Sequence, residues 1–420
     1  MTSPLSASPT PWTCPFCPLL CDAFAVAVQA DGRLQMVGSN CPRAQQALSR
    51  FDATPAAAPQ HQGRDCSLDE AIVAAARLLA ASRQPLFGGL GTDVAGARAL
   101  YALACASGAI CDAAAGVPLM QATRALQDRG GFGTSLAEVR SRADLVLCLG
   151  RQPAAHYPEF DARTGLATDD PRWLILGEGQ AADDWFGPVA RLAALVEGRA
   201  VDGAPPALQA AAQRLQAARY AVIVIETATL GPQGALLIEM LQRVVATLNR
   251  STRAAMLTLG GADGAATVNG VFTWLSGLPL RTRLGPHGLE HDPVAFDATR
   301  LVADGAVDLL LWVASFGTEA AEPSAGFASA FALASASAPA SAAAGVMPRI
   351  VLGHPALASR TAGPADVFIP VATPGIGHAG HLFRTDGVVM MPLHAAQPTA
   401  LPRADEVLRR MLAALKDLAA

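Results

Sequence analysis

Apolar and polar positions along this chain follow two rhythms, one of amphipathic helices and one of strands apolar on both faces. From Ser67 the spacing predicts a helix over 69–82, opened by an S-x-x-E capping box of Ser67 and Glu70, then a short strand at 85–88. A helix is expected around 95–107, and unbroken apolar runs predict strands at 144–149 and 173–177. The style then repeats. Helix 207–218, strand 220–226, helix 234–249 and strands 308–314 and 349–352 follow, with a closing helix over 403–418. Strands without a polar face need cover on both sides, so the expected fold is α/β, built from doubly wound, mainly parallel sheets.

Residues 1–60 break this pattern. They are rich in Cys, Pro and turn formers, a composition that buries little core and needs a metal or a neighbour to order it. The expected layout is a Cys-rich cap over 1–60 and a first α/β lobe over 61–205. A second lobe over 206–400 follows, interrupted by an Ala/Ser-rich insertion at 318–348, and a helix closes the chain over 401–420. No short repeat period is visible.

Composition narrows the function. Of the 420 residues, 51% are hydrophobic and only 16% charged, which supplies buried sheets generously and solvated surface sparingly, so part of the surface is expected to lie under partners. Lys and Arg number 31 against 35 Asp and Glu, with no basic block, which excludes nucleic acid as a partner class. The opening MTSPLSASPTPW lacks a basic segment followed by an apolar core, and the uncharged stretch 325–347 is mostly Ala and Ser with Pro339 inside it. Neither a leader nor a membrane span is predicted, and a cytoplasmic location is expected. Eight cysteines in a reducing compartment are then thiols or ligands rather than a disulfide framework.

Four of them are spaced as ligands. Cys14-x2-Cys17-x3-Cys21 offers three thiolates from one tight loop, and Cys41 returns a fourth after nineteen residues. That spacing suits a cubane of the [4Fe-4S] type better than structural zinc, which more often uses two separated C-x2-C knuckles; a loop that holds no metal is the remaining reading. Cys66, Cys105, Cys111 and Cys148 lie in apolar contexts and read as small buried hydrophobes.

The cysteine spacing followed by α/β lobes resembles the head of the molybdopterin oxidoreductases, formate dehydrogenases among them. Later stretches resemble the B subunit of formylmethanofuran dehydrogenase: Gly108-Ala109-Ile110-Cys111-Asp112, Thr134 with Leu136, Glu138 and Val139, and Arg142-Ala143-Asp144-Leu145-Val146. So do Gly150-Arg151-Gln152-Pro153 with His156 and Pro158, although the family usually has Asn at the place of Gln152. Asn269-Gly270-Val271 with Trp274, Gly277 and Pro279, and Ala365-Asp366-Val367-Phe368-Ile369-Pro370, extend the resemblance over nearly the whole chain.

In redox-active members a V-C-H-G-P segment follows the G-A-x-x-D motif, and its cysteine ligates tungsten or molybdenum beside two pterins. Counting from Asp112 places Pro118 at that metal position and Leu119 at the neighbouring histidine. Proline has no donor atom and leucine handles no proton. An arginine expected near the metal after Pro279 reads as missing, on the stretch from Leu284 to Pro293. This degenerate pattern resembles the B subunit of the formyltransferase/hydrolase complexes of methylotrophic bacteria. The resemblance implies a complex that passes a formyl group from tetrahydromethanopterin to a methanofuran-type carrier and releases formate. An amidohydrolase-like A subunit and a formyltransferase D subunit carry the chemistry there, with a C subunit alongside.

Other residues are weighed on their chemistry. Gly88-Gly89-Leu90-Gly91 after a strand reads as a phosphate-cradling turn or as close chain packing; with the resemblance, Gly89, Gly91 and Asp366 become relics of a pterin pocket. His378 and His381 stand three apart without carboxylate or cysteine company, and His287 and His291 flank Gly288, which points to a loop. No G-x-S-x-G, P-loop or H-E-x-x-H motif occurs. The expected function is that of a non-redox subunit without Mo/W-bis-pterin. The alternatives are redox activity on a Mo/W-pterin and electron transfer through a cluster alone.

Overall fold

A computed structural model describes residues 10–51, 57–177, 185–316, 347–360 and 366–420. The insertion expected at 318–348 therefore lies almost wholly outside the described residues. The chain forms two compact units, unit 1 from Met1–Gly116, Gly261–Phe383 and Met390–Ala420, and unit 2 from Val117–Gly260 and Arg384–Val389.

Unit 1 is organised by a nine-stranded sheet. Its middle strands β6 (Pro85–Gly91), β7 (Ile110–Cys111), β14 (Leu309–Ala314), β15 (Arg349–Gly353) and β16 (Asp366–Pro370) lie in the order β7-β6-β14-β15-β16 and are parallel. Antiparallel pieces flank them: β12 (Thr282–Gly285) and β13 (Gly288–His291) beside β7, β4 (Gln60–His61) and β5 (Arg64–Asp65) beside β16. Every residue of β6 and β14 is buried, as uniformly apolar strands require. Leu86, Ile110, Leu310, Trp312, Val351 and Phe368 share one core cluster.

The helices of this unit are α2 (Leu68–Ala81), α3 (Val94–Ser107), α10 (Ala265–Ser276), the short α11 (Ala298–Ala303) and the last helix, α12 (Ala404–Ala419). Ser67 accepts from the Glu70 N–H while the Glu70 carboxylate accepts from the Ser67 N–H, so the capping box forms as expected. Helix α12 packs on both α2 and α3. A small antiparallel sheet, β1 (Thr10–Trp12), β2 (Phe24–Val28) and β3 (Leu34–Val37), precedes α1 (Pro42–Leu48). A late hairpin pairs β17 (Gly380–Phe383) with β18 (Met390–Leu393).

Unit 2 has a four-stranded parallel sheet in the order β11-β10-β8-β9, from β8 (Leu145–Leu149), β9 (Trp173–Leu176), β10 (Tyr220–Glu226) and β11 (Arg253–Leu259). Around it run α4 (Gly116–Arg129), α5 (Leu136–Arg142), α6 (Phe160–Thr164), α7 (Phe186–Val196), α8 (Pro206–Ala217) and α9 (Gly234–Leu248). Leu145, Leu147, Ile223, Ile225, Leu237 and Leu241 fill its core.

The parallel sheets are as the apolar pattern predicts. The units, however, interleave along the chain, whereas the sequence reading has two lobes in succession. The cause is topological: β14, β15 and β16 join the sheet that β6 and β7 began, and 144 residues of unit 2 lie between Gly116 and Gly261. Several elements lie outside the pattern reading, α7 and α10 among them, and two show why. Pattern reading misses β11, whose Arg-Ala-Ala opening carries little strand propensity. It also reads no helix over 116–129, where Pro118 argues for a break; Pro118 sits in the first turn of α4, where a missing N–H costs no helical bond. Among the described residues no helix is long and apolar enough to cross a membrane.

Candidate cofactor sites

Cys14, Cys17, Cys21 and Cys41 are all buried. The loop between them closes on itself. The Cys14 N–H donates to the Cys21 carbonyl at 2.9 Å, and Leu20, at φ 46°, turns back so that its N–H reaches the Cys17 carbonyl at 3.0 Å. Cys41 immediately precedes α1. Trp12 anchors the loop from behind, packing on Phe16 and Phe24 and donating its indole N–H to the Gly375 carbonyl at 2.7 Å.

Burial pushes the Cys14 thiol well up, and the neighbouring Cys17, Cys21 and Cys41 push it further. Burial likewise lifts Cys17 to about 11, against the Leu19 N–H and the Arg43 guanidinium. Without a metal these thiols stay protonated at neutral pH; a metal would take them as thiolates. Among the described residues no group of three or more His, Cys, Asp or Glu is placed to hold a metal ion. Of the other cysteines, Cys111 and Cys148 are buried as expected, but Cys105 is exposed on α3 and Cys66 is half-buried. Helix α3 turns that position outward.

A second place follows from topology. In the order β7-β6-β14 the chain leaves β6 to one side and returns on the other, which opens a crevice at the carboxyl ends of β6 and β14. A cavity of about 210 Å³ occupies it, lined by Gly89, Gly91, Ala114, Asp263, Val313 and Phe316 among others. Gly89 stands at φ 72°, and a Cβ there would meet the Val313 carbonyl oxygen at 2.7 Å; a Cβ on Gly88 would meet the Trp312 ring at 2.8 Å. These glycines are required by chain packing, whatever ligand the crevice takes. Asp366 is not part of it. It opens β16 in register with Arg349, at the amino end of that strand.

Pro118 and Leu119 stand in the first turn of α4. Asp112, six residues before Pro118, is buried and receives hydrogen bonds on Oδ2 from Arg281 Nε at 3.2 Å and the Ala298 N–H at 3.0 Å. Arg281 also donates to Asp297 at 2.5 Å and sits at φ 60°. Arg281 and Arg283 thus stand directly after Pro279, so the arginine read there as missing is present in the sequence. Burial raises the Asp112 carboxyl to about 6 in spite of Arg281, and its Oδ1 is buried without a hydrogen bond.

The histidines divide. The His378 Nδ1–H donates to the Ala379 carbonyl at 2.7 Å, while its Nε2 is buried without a hydrogen bond; His381 lies exposed on β17. His287 lies in the turn between β12 and β13, as a loop reading has it, whereas His291 ends β13, its Nδ1 3.0 Å from the Arg281 carbonyl. In unit 2 the sheet order reverses between β8 and β10, and there His156 Nδ1 meets Glu226 Oε2 at 2.5 Å. Sequence reasoning names His156 and misses Glu226, which closes an apolar strand and carries no motif.

No family model matches the chain. A curated relative, the Fhc B subunit of the formyltransferase/hydrolase complex of Methylorubrum extorquens, is 35% identical over 272 residues, which cover 60% of this chain and 74% of the relative. A chain of the crystal structure of the formyltransferase/hydrolase complex FhcABCD from Methylorubrum extorquens, solved with methylofuran, superposes with a TM-score of 0.72 at 30% identity. That match covers 86% of this chain and 99% of the other. With the parallel sheets and the cysteine loop in place, these matches show that the chain belongs to the B-subunit family of the formyltransferase/hydrolase complex.

Proposed function

We propose that this chain is the B subunit of a cytoplasmic formyltransferase/hydrolase complex, assembled with the A, C and D subunits, and that it supports one-carbon transfer to formate without redox chemistry of its own. The assembly and the methylofuran-type carrier follow from the complex to which the superposed chain belongs. The observation that carries the non-redox role is α4, which begins at Gly116 and sets Pro118 and Leu119 in its first turn. Neither side chain offers a donor to a metal or a proton to a substrate.

The crevice at β6 and β14 supports the same reading. At about 210 Å³ it falls below the roughly 300–1,000 Å³ of sites for one drug-sized ligand, whereas a bis-pterin brings two pterins to one metal. The residues present do not fit that group.

The cysteine loop differs. Its donor set suits a [4Fe-4S] cluster in kind, because four sheltered thiols influence one another and a cubane takes each on a different iron. Single-ion placement, which the described residues lack, is not what a cubane needs. We infer that Cys14, Cys17, Cys21 and Cys41 are the residues to hold it and that its role is to order the small sheet and α1 as a cap. Bound, such a cluster supplies one-electron capacity.

Iron, sulfide, tungsten and molybdenum analysis of the anaerobically purified four-subunit complex tests these points together. Iron and sulfide at about four per copy of this chain with neither heavy metal is the expected result. Stoichiometric tungsten or molybdenum would instead establish the redox-active alternative.

A further inference from the structure

Two side chains of opposite charge bear on the cysteine loop, and neither is one of its ligands. Arg43 stands in the first turn of α1, two residues past Cys41, and its Nε donates to the Phe16 carbonyl at 2.8 Å. That bond spans 27 residues of sequence and ties the helix behind the fourth cysteine to the loop that carries the first three. Asp263 comes from far along the chain. It stands at φ 53° in the turn between β11 and α10 and lines the crevice at the carboxyl ends of β6 and β14.

Both charges reach Cys17. Beyond burial and the Leu19 N–H, the Arg43 guanidinium favours a thiolate there, while Cys41 and the Asp263 carboxylate oppose it. Each residue also has an ordinary structural use: Arg43 latches the loop, and a carboxylate just ahead of α10 suits the positive end of the helix dipole. Neither use calls for a charge at Cys17, where both groups are half-buried and their fields escape full screening.

A cluster on four thiolates is an anion, and reduction adds one electron to it with no bond made or broken. A nearby cation therefore holds it more firmly and raises its reduction potential, and a nearby anion does the reverse. We propose that Arg43 and Asp263 are opposed charges acting through Cys17 on the cluster, Arg43 raising its retention and its reduction potential and Asp263 lowering both. This rests on the assignment of a cluster to Cys14, Cys17, Cys21 and Cys41, and the test separates the two ideas.

The natural four-subunit complex and its variants Arg43→Met, Arg43→Lys and Asp263→Asn are purified anaerobically. Iron and sulfide are counted, iron release to a ferrous chelator is timed, and the potential is read by dithionite titration followed with electron paramagnetic resonance. R43M is expected to release iron about tenfold faster and to titrate at a lower potential. R43K keeps the charge and should stay near the natural complex in both measurements. D263N, whose asparagine tolerates the left-handed backbone as aspartate does, should release iron more slowly and titrate at a higher potential. The opposite signs carry the test, because a loosened loop or a disturbed turn speeds release in either variant.

R43M and D263N moving in the same direction, no change in either, or R43K as labile as R43M overturns the charge assignment while the cluster stands. If dithionite does not reach the potential, the release rates decide by the same signs. A natural complex without iron and sulfide overturns the cluster and this inference with it.

Discussion

At the scale of single residues, two buried titratable groups in unit 1 act on stability in opposite directions. Asp112 titrates near 6 in the fold against an ordinary 3.8, so between those values the folded state holds more protons and acidification stabilises it. His354 is pushed down to about 4 from 6.5 by burial and the nearby Arg50; over that interval the unfolded chain takes the proton first and acidification destabilises. Each amounts to about 3 kcal/mol, so they offset one another between roughly pH 4 and 6. In Asp112→Asn the offset is gone, and the loss of stability between pH 7 and pH 4.5, measured by denaturant titration, should grow by about 2–3 kcal/mol. Arg281→Met leaves Asp112 and Asp297 without their shared cation and should cost about 3–5 kcal/mol in the same measurement.

Little of this is legible from the chain. The cysteines declare themselves because their ligand spacing is local. Arg281 does not, because its partner Asp112 lies 169 residues away and only the fold brings them together. Glu226 is hidden in the same way, 70 residues from His156.

At the scale of elements, local chemistry and fold agree where a helix carries its own signals. Helix α2 is announced by its capping box, and Ser67→Ala should lower stability by about 1 kcal/mol, with a lower melting temperature as the readout. The strands β10, β14 and β15 are legible from their unbroken apolar runs, whereas α4 is not, since Gly116 and Pro118 mark a turn until the first-turn position is known. Glycines of one backbone class separate by their surroundings. Gly108 at φ 71° has open space around its Cβ position, while Gly89 at φ 72° faces the Val313 carbonyl oxygen. Gly108→Ala should therefore cost about 1–2 kcal/mol, the left-handed penalty alone. Gly89→Ala should cost measurably more, and equal losses by thermal denaturation would show that the β6–β14 contact yields without strain.

At the scale of the whole molecule, the sequence shows α/β layers and a ligand-spaced loop but not how the layers are gathered. Apolar runs identify buried strands without saying which sheet each joins, so a strand at 309–314 reads equally well as part of a second lobe. Its pairing with β6 is decided by tertiary packing, the Trp312 ring over Gly88 above all.

That interleaving gives the chain a history during synthesis. Of the parallel strands β6 and β7 emerge first, and the whole of Val117–Gly260 follows before β14 exists to cover the open side of β6. For that interval the nascent protein carries an unpaired, wholly apolar strand edge, the kind of surface that chaperones hold and that aggregates if left free. Unit 2, by contrast, has all four strands of its sheet in hand once residue 259 is made.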